Sequence, residues 1–200
     1  MDKSVEIDVD FALSYKKEQG RVLNLAWVLP RPKRDHYKGG FPLWFEEKLL
    51  RFFGIDLKDM AKDEVIQLFS GMTKYGFRVD LSKEVKPDLI CDCHKLPKEW
   101  NNRWDIAICD PPYNDEYSKK LYGTGKIKYK DYISEAVRIV EPGGFICSYH
   151  WAMTPRPDGT DLIARIFVGT RTWHKPRICN IFQKHKKMKP NPSNNTQQID

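Results

Sequence analysis

Apolar residues along this chain follow two rhythms. Short unbroken runs occupy Glu64–Phe69 (EVIQLF), Phe77–Leu81 (FRVDL), Asp88–Cys91 (DLIC), Asp105–Cys109 (DIAIC) and Phe145–His150. Runs this short, apolar at successive positions, predict strands of a parallel sheet buried on both faces. Arg21–Leu29 (RVLNLAWVL) predicts another strand, closed by Pro30-Arg31-Pro32. Helical spacing appears in Leu43–Phe53, where Leu43, Phe45, Leu49, Leu50, Phe52 and Phe53 share a broad face and Gly54 is a stop. It returns in Tyr129–Val140, which Glu141-Pro142-Gly143-Gly144 should end by turning the chain into the next strand. Asp161–Val168 and Arg177–Gln183 read as a terminal antiparallel pair, while the rest of the first forty residues announces no element. Strands and helices in this order predict an open α/β sheet.

Ligands of such sheets lie beyond the carboxyl ends of the strands. Four sequence positions fall there together: the turn Phe69-Ser70-Gly71, then Asp80, Asp92 and Asp110. The sharpest signal is Asp110-Pro111-Pro112-Tyr113, directly after the buried run Ile106–Cys109. Two prolines stiffen the backbone and remove two N–H donors. The Asp110 carboxylate and the Pro111 carbonyl are then paired acceptors, with the Tyr113 ring beside them. An exocyclic amino group has two hydrogens to donate and a flat ring to stack, so the tetrapeptide supplies what an extruded base requires.

With these motifs the chain resembles the class I S-adenosylmethionine-dependent methyltransferases, and among them the amino-methyltransferases of nucleic acids. The resemblance covers about residues 41–184. It implies a Rossmann-like class I methyltransferase fold, α/β, with a mostly parallel sheet and an antiparallel terminal strand. It implies that Asp110, Pro111, Pro112 and Tyr113 form the catalytic (D/N/S)-P-P-(Y/F/W) motif, whose Asp at the head is more like adenine N6 enzymes than cytosine N4 enzymes. S-adenosyl-L-methionine is the implied cofactor. Val65–Gly71 is similar to the glycine turn that cups its methionine part, giving Phe69, Ser70 and Gly71. Asp80 matches the ribose-binding acid. Asp92 and Cys93 lie in a stretch similar to D-A-x-x-L-P, whose Asp accepts from the cofactor's adenine. Phe41 and Pro42, with Gly40 before them and the Leu43–Phe53 helix after them, resemble the N-terminal motif at the methionine end, and Asp110 is shared by both sets. Glu141–Phe145 resembles the L-(K/E)-P-G-G turn before the fifth strand.

The chain departs from the pattern in two places. Gln67 stands where the family has an acid, and Gly71-Met72-Thr73 replaces G-x-G. About a dozen residues separate Gln67 from Asp80, too few for the family's first helix, so a tight loop is expected there. Lys74 or the Gly40-Phe41 loop would then have to serve the cofactor's carboxylate.

Composition narrows the class but not the substrate. The chain has 200 residues, 40% of them hydrophobic and 30% charged, which excludes collagen-like and wholly disordered classes and suits one domain. That domain is expected at residues 1–183, with about 1–40 as an extension and 184–200 as a basic, disordered tail. The net charge of +7 favours a polyanionic partner. Five lysines follow the motif, namely Lys119, Lys120, Lys126, Lys128 and Lys130, interleaved with Tyr117, Tyr122 and Tyr129. They are candidates for phosphate contact, with Trp151, Arg156, Arg171 and His174 on the same rim. No stretch is long and apolar enough for a membrane span and no signal-peptide core begins the chain, so a cytoplasmic protein is expected, nucleoid-associated if DNA is the substrate. The five cysteines read as reduced thiols, and Cys91-x-Cys93-His94 is too tightly spaced for a zinc knuckle. The expected reaction is methylation of adenine N6 in DNA. The chain has no room for a recognition domain, so specificity would come from short insertions, a homodimer partner or a separate subunit. RNA adenine N6 or guanine N2, a small molecule or protein amide, and a non-catalytic nucleic-acid-binding relative are the alternatives.

Overall fold

The computed structural model describes residues 7–31, 40–61, 64–112, 119, 127–170 and 175–186. Its elements in chain order are α1 (Val9–Gln19), β1 (Leu23–Val28), α2 (Phe45–Phe52), β2 (Val65–Leu68), β3 (Phe77–Asp80), β4 (Leu89–Ile90), β5 (Trp104–Cys109), α3 (Tyr129–Ile139), β6 (Val140–His150), β7 (Thr160–Gly169) and β8 (Arg177–Lys184). The strands form one sheet in the order β1-β7-β8-β6-β5-β2-β3-β4. β8 is antiparallel to both neighbours, and the other pairings are parallel. From β7 to β4 this is the expected Rossmann-like class I methyltransferase arrangement, with the last strand inserted backwards between β6 and β7. β1 adds a parallel strand beyond β7.

Each face of the sheet carries its own apolar layer. Val65, Ile106, Ile108, Cys147, Tyr149 and Ile181 point to the side covered by α1 and α2, where Ala12, Phe45, Leu49 and Leu50 are buried. Ile66, Leu68, Ala107, Cys109, Ile146 and Phe182 point to the other side, against Tyr132, Ile133, Ala136 and Ile139 of α3. Alternate residues of one strand therefore serve opposite cores, which is why the strands read as unbroken apolar runs. Each fully buried Leu, Ile or Phe contributes about 1.5–3 kcal/mol.

Several boundaries differ from those expected. α1 was not foreseen; Asp8 caps it by accepting the Phe11 N–H at 2.8 Å, and Gly20 closes it in the left-handed region. Only Val9 and Ala12 of this helix are buried, so its sequence carries little helical periodicity. Glu141–Gly144 does not form a separate turn. β6 begins at Val140, directly after α3; Trp104 pairs with Val140 and Ile106 with Phe145, so these four residues bulge out of the ladder. Gly144 is needed there, because a Cβ would stand 2.5 Å from the Asp105 carbonyl oxygen.

The expected loop in place of the family's first helix is present, since residues 69–76 connect β2 to β3 by turns. α2 covers the sheet there instead. It runs along β6, with the Phe45 ring tilted 4.7 Å from Tyr149 and Phe53, just past its end, 5.1 Å from Phe145, and it reaches across to β2 through Glu46. The described cysteines are free thiols, all buried but Cys91. Among the described residues no helix is long and apolar enough to cross a membrane, and no cluster of His, Cys, Asp and Glu is arranged to hold a metal.

Candidate active site

The chain leaves β2 for β3 and β4 on one flank, then returns to β5 on the other. The crevice outside the carboxyl ends of β2 and β5 is therefore the topological switch point of the sheet. Phe69-Ser70-Gly71 and Asp110 occupy its two sides. The Asp110 N–H donates to the Leu68 carbonyl at 3.3 Å, which fixes the start of the Asp-Pro-Pro segment against the end of β2. Asp110 and Pro112 are half-buried and Pro111 is buried. Tyr113, Lys120 and Lys126, like Tyr117, Tyr122, Arg171, His174 and the tail beyond Lys186, lie outside the described residues.

The β2 turn is held from below. Phe69 has φ +58°, unusual for a residue with a side chain, and its N–H reaches the Cys93 sulfur at 3.3 Å. Such a conformation costs on the order of 1–3 kcal/mol and persists only where surroundings enforce it. Here the Phe69 ring meets Tyr132 edge-on at 5.2 Å and His94 at 6.0 Å. The Thr73 N–H closes a turn on the Ser70 carbonyl. Asp80 holds that turn. One carboxylate oxygen accepts the Gly71 N–H at 2.9 Å and the other the Ser82 N–H at 2.8 Å, and the residue is 1% exposed. In this conformation Asp80 shapes the crevice from inside it.

Asp92 stands at the end of β4 with 40% of its side chain exposed. Its Oδ1 accepts from the His94 N–H at 2.9 Å and lies 2.6 Å from the His94 Nδ1. Burial pushes the Asp92 carboxyl up, but the His94 N–H and ring and the Lys95 charge outweigh it and hold the group below the usual carboxylate range. Cys93 faces the core between β2 and β3. Burial raises its thiol well above the ordinary value, so only its backbone is offered to a ligand. Phe41 packs edge-on to Tyr149 at 5.1 Å and against Phe45 at 4.9 Å, with Pro42 buried beside it, at the β6 end of the rim.

Two groups of residues escaped the sequence reading. The first lies on strands and helix flanking Asp110. Ser148 is paired in register with Cys109, and its hydroxyl accepts from Thr154 at 3.4 Å. The Asn180 side-chain amide donates to Thr154 at 3.2 Å, and the Tyr129 hydroxyl donates to the Pro155 carbonyl at 2.6 Å. Burial raises Tyr129 to about 12. Burial raises Tyr132 and Tyr149 as well, and in both the Asp110 charge adds to the effect. These phenols therefore remain protonated hydroxyls around the carboxylate. Isolated Ser, Thr and Asn residues give no sequence signal for such a cluster. The second is Glu46, which meets the Gln67 already marked as a departure from the family pattern. Glu46 accepts from the Gln67 amide at 3.2 Å. Burial raises its carboxyl to about 7, with Glu47 adding to the rise, against the opposing Lys74 N–H, Lys74 charge and Tyr75 N–H. The Tyr75 hydroxyl donates to Glu47 at 3.2 Å, so both acids of the first turn of α2 grip the β2–β3 loop.

Lys119, Lys128 and Lys130 are exposed, the last two at the start of α3 on the same rim. Trp151 is half exposed and stacks on His150 at 5.9 Å just past β6, while Met153 and Met72 are also exposed there. Arg156, also exposed, donates to the Thr160 carbonyl.

No protein-family model and no curated protein matches the sequence. Among solved structures, the chain is similar to TrmN from Thermus thermophilus, at 12% identity and a TM-score of 0.44 over 88% of this chain and 77% of that one. It is similar to the antibiotic-resistance methyltransferase Kmr at 13% identity and a TM-score of 0.39, over 60% and 86%. It is also similar to the aminoglycoside resistance methyltransferase NpmB1 at 13% identity and a TM-score of 0.32, over 48% of this chain and 59% of that one. The chain thus spans less than two thirds of the NpmB1 structure. The strand order, rather than these alignments, defines the fold.

Proposed function

We propose that this chain is an S-adenosyl-L-methionine-dependent methyltransferase acting on an exocyclic amino nitrogen of a nucleobase, adenine N6 in DNA. The observation that carries the reading is Asp110-Pro111-Pro112 at the carboxyl end of β5, facing the Phe69-Ser70-Gly71 turn across the switch point. The residues of the turn fit a polar ligand. Ser70 is 3% exposed and its hydroxyl has no partner, and the buried Thr73 hydroxyl has none either. Buried hydroxyls in that state are costly unless something fills their hydrogen bonds.

When bound, the cofactor supplies a methyl carbon activated by the positive sulfur beside it. The chain's own residues supply position. The Asp110 carboxylate and the Pro111 carbonyl accept the two hydrogens of the target amino group. Held so, the nitrogen becomes pyramidal and its lone pair leaves conjugation with the ring. Methyl transfer would leave the substituted nitrogen with an acidic hydrogen, and the Asp110 carboxylate would accept it. Alignment of this kind is worth several kcal/mol of the about 7–11 available from orientation. Ser70, Thr73 and Gly71 would hold the cofactor's amino-acid part and Asp92 its adenine amino group. Lys128 and Lys130, with the exposed Trp151 ring, suit a phosphate backbone and an unstacked base.

Transfer of labelled methyl groups into separate DNA and RNA pools tests the reading and its RNA alternative together. Asp110→Ala should lower transfer at least about 100-fold, while calorimetry shows cofactor binding within a few-fold of the parent. Retained turnover in that variant overturns the role of Asp110. A silent cofactor titration with the parent chain favours the non-catalytic alternative.

A further inference from the structure

Three acids stand around the β2 turn, and their surroundings differ. Asp80 has both oxygens on backbone N–H groups and is almost wholly enclosed. Glu47 receives the Tyr75 hydroxyl. Glu46 is the one aimed at the end of β2. Its hydrogen-bond donor is a neutral group, the Gln67 amide, and the Lys74 and Tyr75 N–H groups of the β2–β3 loop favour its charged form. A carboxylate has about four acceptor positions, so this donor leaves room for another.

The turn beside it presents a matching need. Thr73 directly precedes Lys74, which acts on Glu46 from the loop, and the buried hydroxyls of Thr73 and Ser70 have no partner. A carboxylate in a desolvated setting, with two hydroxyl oxygens wanting donors on the neighbouring turn, is the complement of a group with one positive charge and three N–H bonds. We infer that Glu46, delivered by helix α2, receives the α-ammonium group of the cofactor's amino-acid end, with the Ser70 and Thr73 hydroxyls beside it. The inference rests on the cofactor reading above and adds to it a residue that no motif singled out, from the helix that follows Phe41-Pro42. It also explains Gln67. An amide there donates to Glu46 and anchors it, where a second acid would repel it.

The raised carboxyl of Glu46 fits this arrangement. The charged groups facing it are Glu47 from its own helix and Lys74 from the loop, and at about 7 it is partly protonated near neutrality. An incoming ammonium favours the charged form, so binding should expel a proton.

Two adenosine thioethers separate the outcomes. S-adenosyl-L-homocysteine carries the amino-acid end, and 5′-methylthioadenosine lacks it. Glu46→Gln should weaken the first at least about tenfold by calorimetry and leave the second within twofold, a split that mere loosening of the turn would not produce. Equal loss for both ligands, or no loss for either, overturns the inference. The parent chain gives an independent measure should the variant fold poorly. At pH 6.5, where the ligand's ammonium is already fully charged, calorimetry in buffers of different ionisation enthalpy should show about half a proton or more released with S-adenosyl-L-homocysteine and none with 5′-methylthioadenosine. Equal release with both ligands counts against Glu46. A parent chain that binds neither thioether removes the cofactor reading and this inference with it, whereas one that binds both without discrimination removes only the inference.

Discussion

Asp80 and Asp110 end strands two places apart in the sheet and serve different ends. Asp80 is committed to the backbone of the β2 turn. Asp80→Asn should leave either the Gly71 or the Ser82 N–H without an acceptor and cost about 1–3 kcal/mol, read as a lower urea midpoint. Glu46 carries a pH signature of the opposite sense to an ordinary paired acid. Its folded value of about 7 lies above the unfolded one, so its stabilising effect is complete below about 4.5 and lost as pH rises through 7. The stability of the parent relative to Glu46→Gln should therefore fall between pH 5 and 8 in paired urea titrations. A difference that is flat across this range would remove the raised carboxyl from the account. At this scale the sequence exposed Asp110 and the turn, because each sits directly past an apolar run. It could not expose Glu46, whose partner Gln67 is twenty-one residues away and comes near only through packing. Nor could spacing reveal that Asp80 is enclosed, since that depends on how the loop after Gly71 folds back.

The loop between β2 and β3 depends on Gly76. It has φ +76°, and a Cβ there would strike the Val65 backbone carbonyl. Gly76→Ala should cost more than about 3 kcal/mol from strain and collision together. Gly54→Ala, at φ +74° with open space around it, should cost only about 1–2 kcal/mol. Thermal melts of the two variants isolate the collision, and equal losses would refute it. The strands were readable because both of their faces are buried. α2 and α3 were readable because each buries a full stripe, Phe45, Leu49, Leu50 and Phe52 in one and Tyr132, Ile133, Ala136 and Ile139 in the other. α1 buries too little for its pattern to show. Pro142-Gly143-Gly144 has turn chemistry, yet the neighbouring strand keeps it in the ladder as a bulge.

At the scale of the molecule, charged side chains gather at both ends of the sheet among the described residues. Lys128 and Lys130 stand at the carboxyl rim. At the opposite end, a groove of about 440 Å³ is lined by Asp56, Asp59, Glu64, Asp105 and Glu141, with Phe53, Ile55 and Phe145 among its apolar walls. A hydrogen bond to Asp105, then burial and the Asp105 charge, raise the Glu141 carboxyl above its ordinary range. Lys128→Glu with Lys130→Glu should weaken nucleic-acid binding evenly across sequences and reduce the salt slope by about one to two, measured by anisotropy at several salt concentrations. An unchanged slope would place the phosphate contacts elsewhere. The helix that shields β2 precedes that strand in the chain instead of following it. During synthesis on the ribosome α2 emerges first, so β2 leaves the ribosome after the segment that will cover it.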